Sequence, residues 1–485
     1  MDDDGSSKLW RTNDGIYFGF QVDPIRAPAG HSILDEPWQH SDRQIVYPGR
    51  PDDAGDQHIV TIGPNGSGKT RRLLIPNLCR LLGWSMVVVD VKGRLAALTA
   101  ALRASVAGHE VRVIDPFGVM EKNYPDLVAK HPFLRSTGYN PLASLDPDDD
   151  EFPDDTLGTA EGIIRVQGQD PHWSISAQEI VAGAVMYARL TDGPNASLVT
   201  VRRWLGQTSE ELRATLVEAE LASKDFDCEE LATRVARFQE LNGENKELNG
   251  IVSTALAQTR WLDSRPIKRD ISRGSFDFGV LKQRPVTIYL VLPPRHLAKH
   301  STWLRVMITS IVTPLMRSVE PAKVPVLLML DEFAQLGHLP VIEDNMAMMR
   351  EYGIKLWTVF QDLAQAKDIY KRWESFIGNA GVVQAFAPQD VTTREYLSKL
   401  SGQRFYWITT GSTNEGLSVG AQHSQQLGAA ESTHYMAGPN YWPQGLAAMG
   451  KGHAVLFAGG RKARTWLPDP SAKDDPLGIK EKLLF

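Results

Sequence analysis

From His58 onward, short apolar runs alternate with stretches in which apolar residues recur at helical spacing. His58–Ile62, Ser85–Asp90 and Glu110–Asp115 read as strands, with helices starting at Lys69 and Leu95 between them. Runs that are apolar at consecutive rather than alternate positions suit strands covered on both faces, as in a parallel sheet with helices on each side. The pattern stops near Leu145. Asp146, Asp148, Asp149, Asp150, Glu151, Asp154 and Asp155 form an acidic stretch broken by prolines, which reads as a solvated linker. Residues from about 156 to 262 then show helical spacing and almost no strand signal. Ala177, Ile180, Val181, Ala184, Val185 and Ala188 make one apolar stripe, and further helices are expected at 209–221, 228–241 and 246–261.

Strands return at Val286–Leu292, Val324–Leu330, Ile354–Phe360, Val382–Phe386 and Ala454–Phe457. The expectation is an α/β fold with a mostly parallel sheet, interrupted by an inserted all-α domain. The core would comprise residues 58–150 and 271–485, and the insertion 151–270. Residues 403–440, dominated by Gly, Ser, Thr, Gln and Ala, read as a loop or irregular hairpin. Residues 1–57 are acidic and rich in Pro and Gly, an extended N-terminal extension that packs on the core or on a partner.

At 485 residues the chain suits two domains, or one with a large insertion. Cys79 and Cys228 lie far apart in sequence, which argues for a reducing compartment and against a disulfide framework. The formal charge of −6 excludes a simple basic DNA-binding domain. It leaves open a ring that threads nucleic acid, which needs positive charge only where it touches the strand. No run reaches the roughly 18 apolar residues of a membrane helix, and the start Met1-Asp2-Asp3-Asp4 is not a signal peptide. These features predict a soluble, cytoplasmic chain.

Gly63-Pro64-Asn65-Gly66-Ser67-Gly68-Lys69-Thr70 matches the phosphate-binding P-loop pattern, directly after one strand and before one helix. Glycines let successive backbone N–H groups converge on phosphates, and the helix N-terminus adds partial positive charge. Lys69 would reach the β- and γ-phosphates of ATP, and the Thr70 hydroxyl would ligate Mg²⁺. A chance match in a chain of this composition is expected roughly 0.02 times, so the motif is specific.

Such a site needs a carboxylate at the C-terminal end of a nearby strand. Val326–Leu330 is an apolar run followed by Asp331 and Glu332. Asp331 suits the magnesium shell, and Glu332 suits a general base that polarises the attacking water. The next strand ends in Gln361, an amide placed to sense the γ-phosphate or orient the water.

The block Leu330-Asp331-Glu332-Phe333-Ala334-Gln335-Leu336-Gly337-His338-Leu339-Pro340 resembles the VirD4/TraG-type coupling proteins of conjugation and type IV secretion. So do Met349-Arg350-Glu351-Tyr352-Gly353, Val359-Phe360-Gln361-Asp362-Leu363-Ala364-Gln365, Tyr396-Leu397-Ser398-Lys399-Leu400-Ser401-Gly402, Asp115-Pro116 and Tyr139-Asn140-Pro141-Leu142. The resemblance runs from about His58 to Trp466. It implies a RecA-like nucleotide-binding domain carrying an all-α domain, assembled as a homo-hexamer with ATP and Mg²⁺ between subunits. It also implies a relaxase–DNA complex or protein substrates as cargo, with single- or double-stranded DNA, relaxase and type IV secretion channel components as partners. By motif position Lys69 and Thr70 match the family's Walker A residues, Asp331 and Glu332 its Walker B pair, and Gln361 its sensor glutamine. Arg350 falls at the arginine finger, which would reach a neighbouring subunit's γ-phosphate.

Two departures stand out. Where the family usually reads Asp-Pro-Lys-Gly-Glu, this chain has Asp90-Val91-Lys92-Gly93-Arg94, a base in place of an acid. Most relatives also carry amino-terminal membrane helices. Their absence here fits either a membrane-free subgroup that borrows a separate membrane-anchor protein, placing the chain at the inner face of the cell membrane, or a trimmed chain.

Other candidates are weaker. Arg260, Arg265, Lys268, Arg269 and Arg273 cluster around Trp261 and suit phosphate contacts or a solvated boundary loop. His296 and His300 have helical spacing but no third ligand, so no zinc is expected. Tyr406 and Trp407 suit a pore lining or edge-strand packing. Two further functions stay open: a nucleotide-binding adaptor with little turnover that links relaxase to a membrane partner, and a double-stranded DNA translocase.

Overall fold

A computed structural model describes residues 15–24, 38–47, 57–166, 171–240, 246–317, 320, 322–417, 425–471 and 477–480. Its strands, in chain order, are β1 (Ile16–Pro24), β2 (Trp38–Tyr47), β3 (His58–Ile62), β4 (Ser85–Asp90), β5 (Glu110–Ile114), β6 (Val286–Val291), β7 (Val326–Leu330), β8 (Ile354–Phe360), β9 (Ala380–Phe386), β10 (Gln403–Leu417), β11 (Gln425–Pro439), β12 (His453–Ala458) and β13 (Arg461–Trp466). Eleven of them form one sheet in the order β2-β1-β13-β12-β9-β3-β8-β7-β4-β6-β5. From β9 to β5 every pairing is parallel. From β9 outward through β12, β13, β1 and β2 every pairing is antiparallel. The fold is therefore α/β with a mostly parallel sheet.

The central strands are buried along their whole length. Val326-Leu327-Leu328-Met329-Leu330 and Ser85-Met86-Val87-Val88-Val89-Asp90 have no exposed position. Helices cover both faces, which is why these runs lack the two-residue alternation of a half-solvated sheet. Between β5 and β6 the described residues contain only helices and short turns. The helix His172–Asp192 is the hub, touched by Phe152–Ile163, Leu198–Leu205, Ser209–Asp225, Glu229–Glu240 and Lys246–Thr259. Its inward stripe buries Ala177, Ile180, Val181, Val185 and Ala188. The helix Ser209–Asp225 starts at a capping box: Thr208 Oγ1 accepts from the Glu211 amide at 3.3 Å, and Glu211 Oε2 accepts from the Thr208 amide at 2.9 Å.

Three segments differ from the sequence reading. Within the N-terminal extension, Ile16–Pro24 and Trp38–Tyr47 are strands that continue the core sheet, and Tyr17 and Phe18 are wholly buried. Asn77, in the helix after the P-loop, holds β1 in place: its side chain accepts from Tyr17 N at 2.8 Å and donates to Tyr17 O at 2.9 Å. The acidic start Met1–Asp4 lies outside the described residues. The stretch read as a solvated linker is instead pinned. Phe152 opens a helix and is buried, and Arg317 pairs with Asp149 at 2.8 Å, with Glu151 at 3.4 Å and with Asp155. Gln403–Leu417 and Gln425–Pro439 form a long two-stranded ladder, β10 with β11, regular where a loop or irregular hairpin was expected, and it pairs with no other strand among the described residues. Tyr406 is buried at its base, where its hydroxyl donates to Pro439 O; the side chain of Trp407 lies outside the described residues.

No helix among the described residues is long and apolar enough to cross a membrane.

Candidate nucleotide site

β3 ends at Ile62, and the chain turns through Gly63–Gly68 into the helix that begins at Lys69. The turn uses backbone that side chains rarely adopt: Gly66 has φ +79° and Gly68 φ +101°. At Gly68 a Cβ would also meet the Arg72 side chain. The glycines are thus required by conformation here, not merely by composition. The first helical turn is widened, π-like, over Lys69–Leu74. Ser67 Oγ is buried with no hydrogen-bond partner, a polar atom facing its own loop without satisfaction.

Lys69 is 6% exposed, and its ammonium donates to the carbonyls of Gly63 and, at 3.2 Å, of Pro64. Burial lowers its affinity for a proton, while the carboxylates of Asp331 and Glu332 act in the opposite sense. Those acids therefore lie within electrostatic reach of the loop. The contact is direct at Thr70, whose hydroxyl donates to Asp331 Oδ2 at 3.4 Å. Strand order explains this. β7 lies two strands from β3, with β8 between them, and all three run parallel, so their C-terminal ends share one edge.

Asp331 is 8% exposed and accepts from the Glu332 amide at 3.0 Å. Burial, and then the neighbouring Glu332 charge, push its carboxyl up to about 6, with Lys69 opposing. Glu332 sits at φ +53°, left-handed backbone that is uncommon for a residue with a side chain. Its Oε2 accepts from Gln361 Nε2 at 2.8 Å and from Gln335 Nε2 at 3.0 Å. Gln365 Nε2 in turn donates to Gln361 Oε1 at 3.3 Å. Gln335 was not a sequence candidate; its position three residues after Glu332, on the turn Phe333–Leu336, was the available signal.

Arg350 is not brought to this site. It follows the helix Pro340–Met349, is exposed, and lies within electrostatic reach of His58 at the start of β3. That is the opposite edge of the sheet from Lys69, about 17 Å away for a five-residue strand.

Asp90, at the end of β4 beside β7, is also buried. Its Oδ1 accepts from the amides of Lys92 at 3.2 Å and Arg94 at 3.1 Å, and its Oδ2 from Ala96 at 2.9 Å. Burial raises this carboxyl to about 6 despite those donors, with Asp331 adding to the rise. Asp90 thus fixes the loop and caps the helix Arg94–Ala104, while the Arg94 side chain is exposed.

Farther along the same edge, the loops after β4, β5 and β6 present Lys92, Arg94, Lys122, Arg295 and Lys299, all exposed. None of these five forms an ion pair among the described residues. Among them Phe117 stacks on His296, ring centroids 4.0 Å apart, with His300 at 5.7 Å from His296. The two histidines are therefore packing partners of Phe117. The Arg260–Arg273 cluster is partly neutralised, since Arg273 lies 3.8 Å from the buried Asp270.

Comparison with known proteins supports the same reading of the fold. The chain is 28% identical over 444 residues to the conjugal transfer protein TraG of Escherichia coli, covering 84% of this chain and 63% of that protein. It is 26% identical over 385 residues to VirD4 of Rhizobium radiobacter, covering 77% of this chain and 52% of that protein. The chain thus spans between half and two thirds of these relatives' lengths. Among solved structures, the bacterial conjugative coupling protein TrwB lacking its N-terminal segment superposes with a TM-score of 0.61 at 15% identity, covering 93% of this chain and 94% of that one. TrwB in complex with ADP and Mg²⁺ gives 0.62 at 14% identity, covering 96% and 98%. A sequence profile for type IV secretory system conjugative DNA transfer matches residues 32–463, most of the chain. The chain belongs to that family, the VirD4/TraG-type coupling proteins.

Proposed function

We propose that this chain is an ATP-hydrolysing coupling protein that drives a relaxase–DNA complex or protein substrates into a type IV secretion channel. The observation that carries the reading is the 3.4 Å contact between Thr70 and Asp331. It joins a phosphate-type loop to a strand-end acid from the far side of the sequence, and hydrolysis needs both in one place.

The residues present fit a magnesium nucleotide. The left-handed Gly66 and Gly68 turn the loop's amides inward, the Ser67 hydroxyl lacks a partner, and Thr70 with Asp331 forms the all-oxygen pair a hard cation prefers. Mg²⁺ held by Thr70 and Asp331 would supply charge neutralisation of the phosphate oxygens. Lys69 exchanges its two loop carbonyls for phosphate oxygens. Glu332 Oε2 is taken by two amides, so Oε1 is the oxygen that removes the proton from the attacking water, while Gln361 fixes the carboxylate's orientation. Arg350, at the far edge of its own sheet, would serve a neighbouring subunit's site in a homo-hexamer. The exposed cations from Lys92 to Lys299, none in an ion pair among the described residues and set beside the stacked Phe117 and His296 rings, suit a phosphate backbone, which supports DNA as cargo. Membrane recruitment at the inner face of the cell membrane would come through a partner.

The test is ATP turnover by the purified chain, with and without DNA. Glu332→Gln and Lys69→Ala should lower turnover at least about 100-fold with the fold intact. Wild-type turnover in Glu332→Gln would remove the base assignment.

A further inference from the structure

Arg165 follows the helix Phe152–Ile163, the first helix of the helical insertion. Its backbone is held on both sides by one side chain: Gln258 Oε1 accepts from Arg165 N at 2.6 Å, and Gln258 Nε2 donates to Arg165 O at 3.0 Å. Gln258 lies in Lys246–Thr259, the helix that leads back toward the core. Backbone and insertion are thus clamped together. The guanidinium points the other way, and its Nη2 donates to Leu336 O at 3.0 Å.

Leu336 ends the single turn that begins at Glu332. The next residue, Gly337, has φ +76°, and a Cβ there would collide with the Arg165 guanidinium. Tyr370 OH donates to the next carbonyl, Gly337 O, at 3.1 Å. Gln335, inside the same turn, donates to Glu332 Oε2. The end of the turn carrying Glu332 is therefore held by a core tyrosine and by an arginine anchored to the insertion. Glu332 itself sits in left-handed backbone that the surroundings must impose. Arg165 makes no ion pair among the described residues, so a salt bridge does not account for its burial against the turn.

We propose that Arg165 is a positioning residue that couples the helical insertion to the Glu332 turn. A displacement of the insertion moves Gln258, then Arg165, then Leu336, and so resets the carboxylate and its two amide donors. The inference rests on Glu332 acting as the base, but the grip itself does not. It reaches no nucleotide-contacting loop residue, so it acts on the chemical step and leaves nucleotide binding alone.

Two readouts on the full-length chain separate these claims. In steady-state ATP hydrolysis, Arg165→Ala and Gln258→Ala should each lower kcat about tenfold with the ATP KM unchanged. Arg165→Lys, which keeps one donor to Leu336 O, should recover most of the loss. In hydrogen–deuterium exchange, Arg165→Ala should speed amide exchange across residues 333–337 and leave 63–70 at the wild-type rate. Wild-type kcat in both alanine variants, a loss carried by KM instead, or unchanged exchange across 333–337 would each overturn the proposal. A wild-type chain that binds nucleotide without turning it over would overturn the hydrolysis reading, while the exchange arm still decides whether Arg165 grips the turn.

Discussion

In the parallel half of the sheet, most neighbouring strands come from distant parts of the chain, and β3, β4, β6, β7 and β8 are buried along their whole length. In the antiparallel flank, β12 and β13 are a hairpin, and β1 and β2 carry Gly19 and bulged pairing. The parallel half ends in the loops that carry Lys69, Thr70, Asp331, Glu332 and Gln361; the flank carries no candidate for the chemistry. Its contacts with the site's helix are structural. Arg72 Nη1 donates to Leu467 O at 2.6 Å, Arg71 pairs with Asp469 at 2.9 Å, and Asn77 holds Tyr17. The two halves divide the labour: one places reactive groups, and the other fixes the helix behind the phosphate loop.

That division can be broken by separating turnover from stability. The largest effect should come from Glu332→Gln, a loss of at least about 100-fold in turnover with no shift in the urea unfolding midpoint. A large midpoint shift would mean the left-handed turn is structural as well as chemical. Asn77→Ala should do the reverse. It strands the buried N–H and C=O of Tyr17 and should cost on the order of 2–4 kcal/mol of stability. A variant that unfolds at the wild-type midpoint would show that β1 is not held through this residue.

The third effect depends on pH. Burial raises the Asp331 carboxyl to about 6, above its ordinary range. The folded chain keeps a proton there that the unfolded chain releases. This group's contribution to stability is therefore full below about pH 4 and is lost as pH rises through about 6. His58 and His109, both lowered to about 4 chiefly by burial, have the opposite sign: their contribution is present above about pH 6.5 and is lost as pH falls toward 4. Asp331→Asn removes only the first. Its stability relative to wild type should rise by on the order of 2–3 kcal/mol between pH 4 and 7, measured by denaturant unfolding at each pH. A flat difference would place Asp331 in a more hydrated setting than its burial implies.

The smallest expected effect concerns the far end of the same edge. Reversing Arg295 and Lys299 to Glu should weaken binding of labelled oligo-dT about tenfold and flatten its salt dependence, with DNA-independent ATP turnover unchanged. Equal binding by the variant would remove this edge from the cargo's path.

Much of this architecture is legible in the chain itself, and the reason is burial. Val326–Leu330 and Ile354–Phe360 announce themselves because both faces are covered. The loop from Gly63 to Thr70 does so because phosphate chemistry fixes its spacing. Gln335, by contrast, earns its place through a turn whose shape depends on Gly337 and Arg165, a residue in another helical segment, and local sequence carries no trace of that. β1 was missed because its apolar residues are interrupted by Gly19 and its anchor is Asn77, sixty positions away. β13, Arg461-Lys462-Ala463-Arg464-Thr465-Trp466, hides behind charge, although Thr465 is fully buried.

The position of β3 has a consequence for synthesis. β3 is complete at Ile62, yet its ladder partners begin at Ile354 and Ala380. At typical elongation speeds, about 15–60 s pass on the ribosome before either is made. Through that interval the strand and the phosphate loop behind it stand without their ladder neighbours, so the nucleotide cradle is translated long before it can take shape.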